Sequence, residues 1–251
     1  MHLEGAEAYA DFAPFYDRYV AHPGYRAWVE RLLGAAHDLG WQGGPILDVG
    51  CGTGISSRAL TAAGHEVIGC EPVREMAALA RASDAGVVLP HDATALPAIR
   101  RFGLATMLND VVNCLLRPAD LSAAMHGIAR NLAPGGFAVF DANTVLTYRT
   151  VFASASVVES DSVAFRWTGL ADARFVAGGI AEARLEADDG TRHVTCLHRQ
   201  RHHTRQAIET ALAAAGLRLL RVIGQDADGI AHPDPPDELR DRKLVYLAVQ
   251  P

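Results

Sequence analysis

Along this chain the spacing of apolar and polar positions changes rhythm, and each change marks a predicted element. From Tyr25 to Leu39 the apolar residues Trp28, Val29, Leu32, Leu33 and Ala36 recur at helical spacing, and Gly40 supplies a stop. Pro45-Ile46-Leu47-Asp48-Val49-Gly50 then reads as a buried strand ending in a glycine turn, with Ile55–Ala63 as the helix it launches. The alternation continues through a strand at His65–Cys70, a helix at Val73–Ala82 and a short strand at Val87–Leu89. A strand at Phe102–Leu108 and a helix near Ala119–Leu132 follow, and Pro134-Gly135-Gly136 turns the chain into a strand at Phe137–Asp141. Strands alternating with helices at this spacing predict a parallel sheet covered on both faces.

After Asn143 the alternation stops. From about Ser162 to His203 the pattern is strand-like, with Ile180–Ala187, then Asp188-Asp189-Gly190, then Arg192–Arg201. An Asp-Gly pair between alternating segments signals a hairpin. Residues 144–202 therefore read as an antiparallel insertion on the main sheet. The earlier pattern resumes with a helix at Thr204–Ala215 capped by Gly216, and strands at Leu217–Gly224 and Lys243–Val249. The Asp- and Pro-rich link Asp226–Asp241 is expected to be a surface loop, and without a helix in it the last two strands should pair antiparallel. Three parts result: an N-terminal helical segment (1–40), a main domain (41–143 with 203–251) and the β insertion (144–202).

At 251 residues, 49% hydrophobic and 21% charged, the chain can bury one substantial core with an insertion. No apolar run approaches the roughly 20 residues of a membrane span, and the start Met1-His2-Leu3-Glu4-Gly5 lacks the basic and apolar regions of a signal peptide. A cytoplasmic protein is the expectation. The net charge of −6 argues against nucleic acid as a main partner, since backbone recognition needs clustered positive charge. The four cysteines include no CxxC pair, and Cys51, Cys70 and Cys114 sit in apolar contexts that read as buried thiols. Residues 1–41 concentrate aromatic side chains, among them Tyr9, Phe12, Phe15, Tyr16, Tyr25 and Trp28.

The chemistry centres on Asp48-Val49-Gly50-Cys51-Gly52-Thr53-Gly54, which follows a strand and opens a helix. Glycines there let a ligand lie against bare main chain, at the carboxyl end of a strand where open α/β sheets bind ligands. A dinucleotide fold would want G-x-G-x-x-G, but Ile55 stands at the third position. Asp48 would repel a pyrophosphate and suits a cationic ligand with an amino group. Glu71, ending the second strand, can accept from both hydroxyls of a ribose, and Asp92 after the third can meet the exocyclic amine of a base. The loop thus favours a positively charged nucleoside without phosphate.

The segments ILDVGCGTG, GCEP, HDA and LAPGGFAVFD resemble the class I S-adenosylmethionine-dependent methyltransferases. The resemblance runs along nearly the whole chain. It is closest to a small-molecule subgroup that opens with Tyr-x-x-x-Ala-x-x-Tyr-Asp, here Tyr9–Asp17, and carries a Tyr-x-x-Trp pair, here Tyr25 and Trp28. That subgroup also has Asp-x-x-Asn after the fourth strand, here Asp110 and Asn113, and a β-cap ending in His198-Arg199-Gln200-Arg201. The resemblance implies an α/β, Rossmann-like fold: a seven-stranded, mostly parallel sheet of order 3-2-1-4-5-7-6, last strand antiparallel, with an inserted antiparallel β-cap. It implies S-adenosylmethionine as cofactor, with Asp48 and Gly50 on the methionine portion, Glu71 on the ribose and Asp92 with Ala93 on the adenine. Leu108 and Asn109 should line the methionyl side, and Cys51, Gly52, Pro72, Met76 and Asn113 complete the expected contacts. Two positions depart from the subgroup: Glu71 replaces the commoner Asp, and Cys114 stands where Tyr is usual.

A sulfonium methyl is already activated, so the protein's task is to align a nucleophile in line with the sulfur–carbon bond and exclude water. Electron-rich rings would steady the cation, so the N-terminal segment is expected to fold over the cofactor with Tyr9, Tyr16 and Trp28 at its methionyl end, while Phe12 and Phe15 staple the segment down. A base is needed for a hydroxyl acceptor but not for a neutral amine; Tyr16, Asp110 and His198 are the candidates. The basic run from Arg192 to Arg205 reads mainly as a solvated face. The adjacent His202 and His203 point opposite ways on a strand and make a poor chelate, and no metal is expected. The expected function is methyl transfer to N or O of a small metabolite, with a homodimer left open. The competing readings are C-methylation or another group transfer from the same cofactor, a macromolecular acceptor, and a non-catalytic cofactor-binding regulator.

Overall fold

The computed structural model describes residues 7–20 and 23–251. The first six residues, which include the Met1–Gly5 start, and residues 21–22 of the expected lid therefore lie outside the described residues. The main sheet is built from β1 (Ile46–Val49), β2 (Val67–Cys70), β3 (Val87–Leu89), β4 (Phe102–Met107) and β5 (Leu132–Asn143), followed late in the chain by β10 (Arg218–Gln225) and β11 (Lys243–Val249). Its order is β3-β2-β1-β4-β5-β11-β10. Pairing is parallel from β3 through β5, and β11 runs antiparallel to both β5 and β10. This is the 3-2-1-4-5-7-6 order, reversed strand included.

All four residues of β1 are buried, as a strand covered on both faces requires. Its successive side chains feed opposite layers. Ile46 packs with Val29, Leu32 and Leu33 of α2 (Tyr25–Asp38) and Leu60 of α3 (Ile55–Ala62). Leu47 joins the layer of Met125 and Ile128 from α5 (Pro118–Asn131) and Ile208 and Leu212 from α7 (Arg205–Ala214). The helix α4 (Arg74–Arg81) covers β3 through Ala77 and Ala80, which pack with Val88. One boundary differs from the expected turn at Pro134-Gly135-Gly136: β5 already pairs at Leu132, and the turn is a register shift within the strand rather than its beginning.

The insertion begins with a helix, α6 (Val145–Thr150), that the strand-like text did not announce. A separate antiparallel sheet follows in the order β6 (Ala155–Ser160), β7 (Val163–Gly169), β8 (Ile180–Asp188) and β9 (His193–Arg201). The hairpin falls at Asp188-Asp189-Gly190 as expected, and the Asp189 carboxylate accepts from the amides of Thr191 and Arg192. Alternate residues of β8 (Ala181, Ala183, Leu185, Ala187) face inward onto Phe12, Phe15, Tyr148 and Phe152. Phe12 and Phe15 thus do staple the N-terminal segment, but to the cap rather than to the main core. Full burial of one such ring is worth about 1.5–3 kcal/mol. That segment holds α1 (Ala13–Val20), and Asp17 ties it to the glycine loop through Arg58 (2.6 Å) and the Thr53 hydroxyl.

Candidate active site

Between the main sheet, the N-terminal segment and the cap lies a cavity of about 890 Å³. That volume is in the upper part of the roughly 300–1,000 Å³ range of small-molecule sites. Its floor is the glycine loop. Gly50, Gly52 and Gly54 all have positive φ, which side-chain-bearing residues adopt at a cost. At Gly50 the need is also spatial, since a Cβ there would meet Val111 Cγ1 at 2.5 Å. The amides of Gly50 and Cys51 bond the Cys70 carbonyl, so the loop is pinned to the end of β2. Next along, Glu71 is buried, and its carboxylate accepts from the amides of Gly52 (2.9 Å) and Val73 (2.8 Å). Burial pushes its pKa up to about 7 despite those amides. Asp92 accepts from the amide and hydroxyl of Thr94 through one oxygen.

The opposite wall is made of rings and polar tips from distant parts of the chain. Tyr9, Tyr16, Tyr25, Trp28, Phe152 and Trp167 line it, together with His198 and Cys114. The Tyr9 hydroxyl bonds His198 Nδ1, and Phe152 stacks on the imidazole at 5.7 Å. Burial lowers the His198 pKa against the pull of Asp110, and burial raises those of Tyr9 and Tyr16. Burial thus disfavours both the imidazolium and the phenolate, and the direction of their hydrogen bond follows the imidazole tautomer. Asn109 and Asp110 turn the chain with left-handed backbone after β4. There the Asn109 amide donates to Tyr25, and Asp110 receives Lys243 Nζ (2.9 Å) and the Gln200 amide. Burial opposes the ionisation of Asp110, yet the Lys243 ammonium holds its pKa below the usual value.

A family model described as a methyltransferase domain matches residues 46–136. The chain is 31% identical over 180 residues to the dTDP-3-amino-3,6-dideoxy-alpha-D-glucopyranose N,N-dimethyltransferase of Streptomyces fradiae, spanning 68% of this chain and 69% of that protein. The chain belongs to the class I S-adenosylmethionine-dependent methyltransferases. Among solved structures, an S-adenosylmethionine-dependent methyltransferase from Clostridium acetobutylicum ATCC 824 superposes with a TM-score of 0.77 at 20% identity, covering 96% of this chain and 98% of that one. DesVI of Streptomyces venezuelae superposes at 0.72 with 22% identity, covering 96% and 97%; at these identities the likeness concerns the fold. The cofactor of this methyltransferase is S-adenosylmethionine. The cavity suits it: bare main chain at Gly50 and Gly52, and beside them a buried carboxylate, each of whose oxygens keeps a lone pair after accepting one amide.

Most residues singled out from the sequence share this cavity. Tyr9, Tyr16, Trp28, Gly50, Gly52, Glu71, Pro72, Met76, Asp92, Ala93, Asn109, Asp110 and His198 all line it. Asp48, Cys51, Leu108 and Asn113 are not among the wall residues. Asp48 is fully enclosed, accepting from the hydroxyls of Ser56 (2.6 Å), Ser57 (2.7 Å) and Thr106 (2.9 Å). It braces the loop from beneath. Asn113 instead joins β5 to β9, accepting from Asn143 N and donating to the Arg201 carbonyl. Cys114 corrects the buried-thiol expectation: it closes a short 3-10 turn (Val111–Cys114) and is exposed on the cavity wall, whereas Cys51, Cys70 and Cys196 are buried. His202 and His203 are both buried and separately engaged, by Glu238 and the Leu115 carbonyl, and burial lowers His203 to about 4. The Asp226–Asp241 link is more than a surface loop. Gln225, Asp226 and Gly229 join the wall, the Trp28 indole donates to Gln225 (3.0 Å), and a Cβ on Gly229 would strike Trp28 at 2.6 Å. Lys243 also went unnoticed in the sequence, although its place opposite Asn143 at the start of an antiparallel last strand puts it beside the carboxyl end of β5.

Proposed function

We propose that this methyltransferase moves a methyl group, in line with the sulfur–carbon bond, from S-adenosylmethionine to the nitrogen of a small amine-bearing metabolite in the cytoplasm. The names of its relatives favour an amino sugar: the Streptomyces fradiae protein is an amino-sugar N,N-dimethyltransferase, and KedS8 from Streptoalloteichus sp ATCC 53650, a sugar N-methyltransferase, shares the fold (TM-score 0.66). In this reading residues 41–143 with 203–251 hold the cofactor, residues 1–40 close over it, and residues 144–202 cap the acceptor. Gly50 and Gly52 lay main chain against it, Glu71 accepts from the ribose hydroxyls, and Asp92 and Ala93 meet the adenine between Pro72 and Met76. Tyr9, Tyr16 and Trp28 face the methionyl end, where a ring over a cation contributes about 0.5–2 kcal/mol.

Bound there, the cofactor supplies a methyl on a sulfonium, needing alignment rather than further activation. The observation that carries the reading is the buried His198, its pKa lowered by burial, bonded to the Tyr9 hydroxyl in the same cavity as Glu71. His198 fixes the Tyr9 hydroxyl so that its oxygen can accept from an acceptor N–H and turn the nitrogen lone pair toward the methyl. After transfer the nitrogen sheds a proton to the Tyr9 oxygen while the Tyr9 proton passes to Nδ1 of His198. Tyr16 keeps its proton and Asp110 is committed to Lys243 and Gln200, so His198 takes the proton-accepting part among the three candidates. Incubation with methyl-labelled cofactor should label amino sugars and leave the matching neutral sugars, protein and RNA unlabelled. Label on a hydroxyl or in the macromolecular fraction would overturn the reading.

A further inference from the structure

A methionyl group brings a carboxylate into the cavity, and burying a charge without a partner is costly. Among the described residues, four Arg and Lys side chains stand on the wall: Arg117, Arg199, Arg242 and Lys243. Arg117 pairs with Asp120 (2.6 Å) and Arg199 with Glu182 (2.8 Å), while Arg242 donates to the Thr150 hydroxyl. Lys243 is held differently. Its Nζ lies between Asp110 Oδ1 (2.9 Å) and Asp141 Oδ2 (2.7 Å), 5.9 Å from the centre of the Trp28 ring. Asp141 is fully buried, whereas the lysine side chain is 27% exposed. An ammonium has three protons, and the two carboxylates take two of them.

The lysine is also close in the chain's wiring to the glycine loop. Val111 is the residue whose methyls abut Gly50, and its neighbour Asp110 bonds Lys243. Beside them Asn109 holds Tyr25, whose ring packs 5.5 Å from Trp28. We propose that Lys243 is a cofactor-binding residue that receives the methionyl carboxylate of S-adenosylmethionine, with Asp110 and Asp141 as the residues that aim it. Both carboxylates favour its charged form, so the ammonium persists against burial. Glu71 at one end and Lys243 at the other would then fix both ends of the same ligand.

The inference rests on the cofactor seat proposed above, and two ligands separate the two claims. 5′-Methylthioadenosine keeps the adenosine and sulfur but lacks the amino-acid group. Calorimetry on Lys243→Met should show S-adenosylhomocysteine binding weakened roughly 10- to 100-fold, the scale of a charged hydrogen bond, with methylthioadenosine changed less than about twofold. Lys243→Arg, which keeps the charge, should recover most of the loss. Equal weakening of both ligands would mean a structural lysine, and unchanged S-adenosylhomocysteine affinity would mean no contact; either overturns the proposal. Failure of both ligands to bind the unmutated protein would sink the seat as well. Should Lys243→Met not fold, S-adenosylmethionine and its decarboxylated analogue are compared on Lys243→Arg and the unmutated chain. Equal affinities for the two ligands overturn the assignment.

Discussion

The two ends of the cavity are made in different ways. At the glycine-loop end the carboxylates are held from their own or an adjacent strand's end: Glu71 by Gly52 and Val73, Asp92 by Thr94, and Asp48 by Ser56, Ser57 and, from β4, Thr106. At the far end Tyr9 meets His198, Asp110 meets Gln200 and Lys243, and Trp28 meets Gln225, all pairs distant in sequence. The first end is set by short loops on adjacent strands and has little freedom to differ. The second is assembled from the N-terminal segment, the cap, the turn after β4 and the facing ends of β10 and β11. In the proposed reading the first end serves the adenosine of the cofactor, and the second serves both its methionyl group and the acceptor.

The division breaks most directly at Glu71. In the proposed seat it accepts two ribose hydroxyl bonds, each worth about 1.5–3 kcal/mol, so on replacement by Ala cofactor affinity should fall about a hundredfold or more. Calorimetry checks the affinity and thermal denaturation checks that the chain stays folded. Unchanged affinity would mean that the ribose lies elsewhere.

The same residue gives a pH signature confined to this end. With its pKa raised by burial to about 7 from 4.5, ionised Glu71 becomes scarce below neutrality. Cofactor affinity should then drop by up to about tenfold per pH unit below 7. Stability without cofactor runs the other way. The folded chain keeps that proton where the unfolded one has lost it, so this group's contribution is complete below about pH 4.5 and lost as pH rises through 7. A Glu71→Gln variant should flatten both curves, measured by binding isotherms and melting temperatures across pH 5–8.

At the acceptor end the effect should be kinetic and smaller. Tyr9→Phe deletes the bond to His198 but keeps the ring, and a hydrogen bond of about 1–1.5 kcal/mol corresponds to roughly tenfold in turnover. Cofactor affinity should stay within about twofold. A fall in affinity with turnover intact would make Tyr9 part of the cofactor lid alone.

The contrast also governs how much could be read from the sequence. The strands of the sheet, the glycine loop and the place of Glu71 at the end of β2 were legible because strand periodicity and turn chemistry are local, while the strand order came from the family resemblance. The hairpin at Asp188-Asp189-Gly190 was legible for the same reason. The far end was not. Nothing in the spacing pairs Tyr9 with His198 or Lys243 with Asp110, and α6 is too short for a helical period to stand out from its strand-like surroundings. Asp48 reads two ways in the sequence: a carboxylate under a glycine loop can serve a ligand or serve the loop, and Ser56, Ser57 and Thr106 around it supply the partners for the second role.

The smallest effect lies where the two ends are tied together. Asp17 is the strap between the N-terminal segment and the glycine loop, through Arg58 and Thr53. Its side chain is 47% exposed and that of Arg58 is 30% exposed, so solvent screens the pair and it is worth only about 0.2–1 kcal/mol. Asp17→Asn should therefore speed S-adenosylhomocysteine release by no more than about fivefold, measured by stopped flow, and the increase should fade at high salt. Phe12 and Phe15 continue to anchor the segment to the cap, so the variant stays folded and the acceptor's KM stays unchanged. If release is unaltered, the tyrosines of this segment act on the acceptor side alone. The closure over the cofactor would then belong to Trp28 and the β10–β11 loop, which reach the cavity without α1.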